Sequence, residues 1–188
     1  VMATGGNMTP RTNTFAPQFT IAELRACIDE AHRLRRKVTA HAHGSEGIRV
    51  ATEAGIDMIE HCSFTAPGGY DYNPADGARI AAARIGVSPT VSIGYLTWPD
   101  DGRRTRRAEI MKDLLAQGCD VLMSTDCGIP GVPHGALGAA IKVLADMSGL
   151  RPVEALRLAT STSARLLGLP DRGTIVPGNL ADLLVLDG

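Results

Sequence analysis

Aromatic residues are scarce in this chain. Phenylalanine, tyrosine and tryptophan together make up 4% of its 188 residues. The arginine cluster Arg103, Arg104, Arg106 and Arg107 in "GRRTRRAEI" therefore has no aromatics interleaved with it, and Glu109 and Asp113 follow closely. It reads as the solvated start of a helix rather than a nucleic-acid contact. Excess charge is also missing. Lysine and arginine number 19 against 20 acidic residues, a net charge of -1, so bulk electrostatics favour neither nucleic acid nor an anionic membrane. The four cysteines Cys27, Cys62, Cys119 and Cys127 contain no C-x-x-C pair. That excludes a zinc ribbon or a disulfide framework by spacing, and reduced thiols in a cytoplasmic protein are the expectation. No apolar run approaches the roughly 20 residues that a membrane helix needs, and the N-terminus carries no signal-peptide pattern. An initiator methionine is absent too, since the chain opens on "VMATGG".

What is present suits a soluble globular protein. Hydrophobic residues are 44% and charged residues 21%, and the length fits one domain, or one domain with a small appendage. Thr20 followed by Glu23 is a capping box. Ile21, Leu24, Ile28, Ala31 and Leu34 then recur at helical spacing, which predicts a helix over 20–36. Lys37 to His43 reads as a strand, and Gly44-Ser45 starts a helix that ends near Gly55. "IDMIEHC" is a second strand. Asn73 and Pro74 cap a helix running to about Gly86. "GVSPTVSIGY" and "DVLMSTDC" are two more strands, with helices over 105–117 and 136–148. Two short helices follow, and "RGTIVPGNLADLLVLDG" ends in a Leu- and Val-rich strand.

Strands alternating with helices imply βαβ units and a parallel sheet, so the fold class is α/β. Four such units make half of a (β/α)8 barrel, and a small complete α/β sandwich is the alternative. A half barrel leaves a sheet edge open, and the terminal strand has no evident partner within the chain. Both features lead to the expectation of further sequence on the N-terminal side, and of association with a second copy as a homo-oligomer.

Three of the five histidines fall close together in the sequence. His41 and His43 are two apart on a strand and share a face. They sit at its C-terminal end, where barrel enzymes place their sites. His61 ends the next strand and Asp126 the last. Imidazole and carboxylate together suit a borderline divalent ion such as zinc. Each residue alone has an ordinary reading, as a satisfied core histidine or a loop cap; the joint placement is what suggests a metal site.

The stretch "VTAHAHGSEGIRVATEAGIDMIEHC" resembles the fifth and sixth strands of the amidohydrolase superfamily, in its imidazolonepropionase-like and Xaa-Pro dipeptidase-like branch. "GCDVLMSTDCGIPGVPHG" is similar to the eighth strand, and "VEALRLATSTSARLLGLPDRGTIVPGNLADLLVLDG" to the closing segment that leads into a β-sandwich lobe. The resemblance implies a partial metal-hydrolase TIM barrel over residues 1–168 (strands five to eight and closing helices) and part of a composite β-sandwich lobe over 169–188. It implies that His41, His61 and Asp126 are metal ligands, with Asp126 also the general base. It places His43 either behind the ligands or toward substrate, His134 and Tyr95 toward substrate, and Tyr70, Tyr72 and Trp98 in the specificity loops. One or two divalent ions, zinc first, and a small amide or dipeptide substrate follow. The first-strand H-x-H pair of the family has no counterpart upstream of His41, and neither has the bridging lysine. The expectation is therefore the C-terminal half of a longer enzyme that hydrolyses carbon-nitrogen bonds. A non-catalytic remnant, or a small-acid binding module on the same fold, is the competing reading.

Overall fold

A computed structural model describes residues 1–99 and 101–185. The first helix, α1 (Ile21–Arg33), opens on the capping box read from the sequence. The Glu23 N–H donates to Thr20 Oγ1 at 3.3 Å, and the Thr20 N–H donates to Glu23 Oε2 at 2.8 Å. Strand β1 (Thr39–Gly44) runs into α2 (Ser45–Ala54), which Gly55 closes at φ 88°. Strand β2 (Met58–Ala66) turns back through β3 (Gly69–Tyr70). Then come α3 (Pro74–Ala82), β4 (Gly86–Ser88), a 3-10 turn (Ile93–Thr97), α4 (Arg103–Ala116) and β5 (Asp120–Val121). A further 3-10 turn (His134–Ala136) leads to α5 (Leu137–Ser148). The closing helix consists of α6 (Pro152–Arg157), a π turn (Leu158–Thr162) and α7 (Ser163–Leu167).

The sheet order is β1-β2-β4-β5, parallel throughout, with β3 antiparallel to β2. The helices pack in succession from α1 to α6. Their inner faces and the strands share one core, which includes Leu24, Ile28, Ile48, Ile59, Ile80, Val87, Ile110, Leu114 and Leu144. Burial of each such side chain contributes roughly 1.5–3 kcal/mol. The core thus holds the strands at their middles and frees their C-terminal ends for polar residues.

Several expectations are corrected. The third and fourth strands are much shorter than their apolar runs. Pro89 cannot donate to a ladder, and the following Thr90 sits at φ 51°, so β4 leaves the sheet after Ser88. The fourth run pairs only over Asp120–Val121, with one further bond from the Leu122 N–H to the Val87 carbonyl at 2.9 Å. Beyond it the Met123 N–H donates instead to Leu158 O at 3.1 Å. The terminal strand does not form over 181–185, where no partner strand lies beside it and Leu184 is 89% exposed; residues 186–188 lie outside the described part.

Arg107 is a larger correction. It belongs to the arginine cluster read as solvated, yet it is 1% exposed. Its spacing explains this. Arg107, Ile110, Met111 and Leu114 form the buried stripe of α4, at the i, i+3, i+4, i+7 positions of one helix face.

The N-terminal residues also do more than their composition announces. Met2 bridges in parallel to His41, and Val1 to Thr4 exchange backbone hydrogen bonds with β1. They cover the β1 edge that would otherwise be open. The loop after them crosses the end of β1 so closely that a Cβ on Gly44 would lie 2.3 Å from the Phe15 carbonyl oxygen. Only glycine admits that approach.

Candidate metal centre

His41, His43 and His61 converge where β1 and β2 end. One ring nitrogen from each lies within 4.8 Å of the others. His41 and His43 reach the same side because they alternate along β1 around buried Ala42. His61 arrives by a different route. Ala42 pairs with His61 and Gly44 with Thr65, so β2 carries a bulge of two extra residues (61 to 65 against 42 to 44). Within it His61, Cys62 and Phe64 all sit at left-handed φ, at 64°, 46° and 54°. Non-glycine residues adopt that region rarely and at a cost.

The hydrogen bonds set the protons. His41 Nε2 lies 3.3 Å from the Gly5 carbonyl oxygen, which can only accept, so Nε2 carries the proton and Nδ1 is bare. That Nδ1 accepts from His61 Nε2–H at 2.9 Å. His61 Nδ1 in turn accepts from the Thr90 hydroxyl at 2.8 Å. Turning that hydroxyl round so that it accepts from Nδ1–H releases the lone pair of His61 Nε2 beside the lone pair of His41 Nδ1. Two bare nitrogens then face each other, each imidazole held from behind by an oxygen, which is how metal-binding histidines are oriented. His43 is tied differently. Asn7 Nδ2 donates to its Nε2 at 3.2 Å, and its Nδ1 donates to Ser63 Oγ at 3.1 Å. Its ring stacks on that of His61 at 4.2 Å between centroids.

Burial lowers the pKa of His43 to about 3 and of His61 to about 4, with the neighbouring imidazoles adding to the effect. Both rings are therefore neutral near pH 7, the form that binds metal. The donor set fits a divalent metal ion.

The shifts also make a statement about stability. Below the ordinary histidine value of 6.5 the unfolded chain takes up protons that the folded chain refuses, so the ion-free protein loses stability as pH falls. Carboxylates titrate mostly below about 4.5, so the interval from about 6.5 to 4.5 reports histidine. A urea midpoint that drops across that interval is expected, with a shallower drop in His43→Asn; a flat midpoint would contradict it.

The three imidazoles line a cavity of about 660 Å³, together with Asp126, Arg107 and Thr90. Asp126 lines the same cavity, exposed and at φ 58°, and lies outside the histidine group. Tyr95 also lines the cavity and is 8% exposed, stacked on Trp98 at 4.2 Å between centroids. Tyr70 joins them, whereas Tyr72 packs on Phe64 and donates to Asp113. His134 is not brought in. It is exposed and lies against Gly128, outside the lining. Asn7, Ser63 and Thr90 are among the polar lining residues that the sequence did not single out, and Arg107 was read there only as part of a solvated cluster. Only Arg107 had a legible signal, its place on the apolar stripe of α4. The four cysteines are unpaired, and burial raises the Cys62 thiol to about 12. No helix among the described residues is long and apolar enough to cross a membrane.

Parallel βα units with a histidine group at the strands' C-terminal ends define part of a (β/α)8 barrel of the metal-hydrolase class. The chain belongs to the amidohydrolase family, whose profile matches residues 1–188. It is 26% identical over 195 aligned positions to the ochratoxinase of Aspergillus niger, covering 100% of this chain and 40% of that protein. It is 32% identical over 167 positions to an imidazolonepropionase of Cereibacter sphaeroides, covering 89% of this chain and 40% of that one. The crystal structure of a Xaa-Pro dipeptidase with methionine in its active site superposes with a TM-score of 0.80 at 26% identity, over 96% of this chain and 46% of that chain. The chain thus spans less than half the length of these relatives.

Proposed function

We propose that the protein is a metal-dependent amidohydrolase that cleaves a carbon-nitrogen bond of a small amide, dipeptide or cyclic amide with a metal-activated water. The observation that carries this is the facing pair of His41 and His61, oriented by Gly5 and Thr90. They would hold a divalent ion, zinc first. Such an ion polarises a carbonyl and lowers the pKa of water when bound. Asp126, in the lining of the same cavity, would take a proton from the attacking water on its carboxylate and return it to the leaving nitrogen. His43 and Tyr95 would face the substrate, with Tyr70 and Trp98 as an apolar wall. Ochratoxinase, imidazolonepropionase and Xaa-Pro dipeptidase among the relatives support hydrolysis of an amide-like bond.

Screening the full-length protein against dipeptides and N-acyl amino acids tests this. Turnover is expected to disappear with a chelator and return with zinc. Turnover indifferent to the chelator would contradict the proposal.

A further inference from the structure

We propose that Arg107 is a positioning residue of this site, whose buried guanidinium holds the bulge of β2 in the shape that aims His61 at His41. The inference rests on the metal-centre reading and deepens it.

The bulge takes residues 62–64 out of the ladder with β1, directly after the Ala42–His61 pair, and the register resumes at Gly44–Thr65. Carbonyls at the start of such a bulge need donors, and three left-handed residues persist only where their surroundings hold them. Arg107 supplies both. One terminal nitrogen donates to the Cys62 carbonyl at 2.8 Å. The other donates to the His61 carbonyl and to the Pro89 carbonyl, the latter at 3.2 Å. Nε donates to Tyr95 Oη at 3.3 Å.

Pro89 precedes Thr90, whose hydroxyl meets His61 Nδ1 at 2.8 Å. One planar group thus ties the backbone of His61 to the segment that orients its ring. No carboxylate among the described residues pairs with Arg107, so its donors go to this frame. A rigid fork serves several carbonyls at once, which the point charge of a lysine does not.

The test is cobalt(II) titration of the full chain, read in the visible spectrum, in wild type, Arg107→Met, Arg107→Lys, His61→Ala and the Arg107→Met/His61→Ala pair, with circular dichroism as the check on folding. Wild type is expected to bind saturably. Arg107→Met should bind about 10–100-fold more weakly, the usual cost of losing an outer-shell partner, and Arg107→Lys should fall between. The double variant should be no weaker than His61→Ala alone, because Arg107 acts through His61; a general packing role would give additive losses. Unchanged affinity in Arg107→Met, or additivity, would overturn the inference and leave the metal reading standing. Wild type that binds no cobalt would overturn the metal reading itself, and this inference with it. If Arg107→Met does not fold, the same cycle is run with Arg107→Lys. Failure of both to fold would make Arg107 a requirement of the core and overturn the positioning role.

Discussion

Asp126→Asn is expected to lower the proposed hydrolytic turnover by about 10²–10⁴-fold, the usual contribution of a positioned general base. The substitution removes the proton acceptor and little else. Asparagine tolerates the left-handed backbone that Asp126 adopts at φ 58°. The side chain is exposed, so neither cavity formation nor an unpaired buried group follows. Asp126 also stands outside the group of three imidazoles, and metal uptake is expected to remain close to that of wild type. Steady-state kinetics beside metal analysis would separate the two effects. Retained turnover would remove Asp126 from the mechanism. Lost metal with lost turnover would make it a ligand first.

The second large effect is expected at His41. His41→Ala should cost more metal affinity than the roughly 10–100-fold typical of an outer partner, because it deletes a donor atom. Its Nδ1 faces His61 Nε2 at 2.9 Å, and Gly5 holds the far side of the ring. The backbone of β1 should survive the change, since its ladder with β2 and with Val1–Ala3 depends on main-chain groups. Isothermal titration with zinc measures the loss. An affinity within a few-fold of wild type would mean that the ion is held elsewhere.

The parts of this structure legible in the sequence are those with local causes. Thr20 and Glu23 announce a helix start because the cap is closed within four residues, and Asn73 with Pro74 does the same for α3. The shared face of His41 and His43 follows from the alternation of any strand. The bulge at His61 was not legible, because left-handed backbone in His61, Cys62 and Phe64 has no compositional mark. It is set by partners far along the chain, Arg107 above all. The last strands are shorter than their apolar runs for a related reason. Apolar residues after Val121 are buried, Leu122 and Met123 among them, but by packing and a bond to Leu158 rather than by a ladder. His134 follows the last strand closely in sequence, yet it is exposed and outside the cavity lining.

Whether a metal centre forms at His41 and His61 is read most directly by elemental analysis of the purified protein after dialysis against metal-free buffer. About one or two divalent ions per chain are expected, falling sharply in His41→Ala. A wild-type protein that retains no stoichiometric metal, and takes up none when zinc is supplied, would contradict the metal-centre reading.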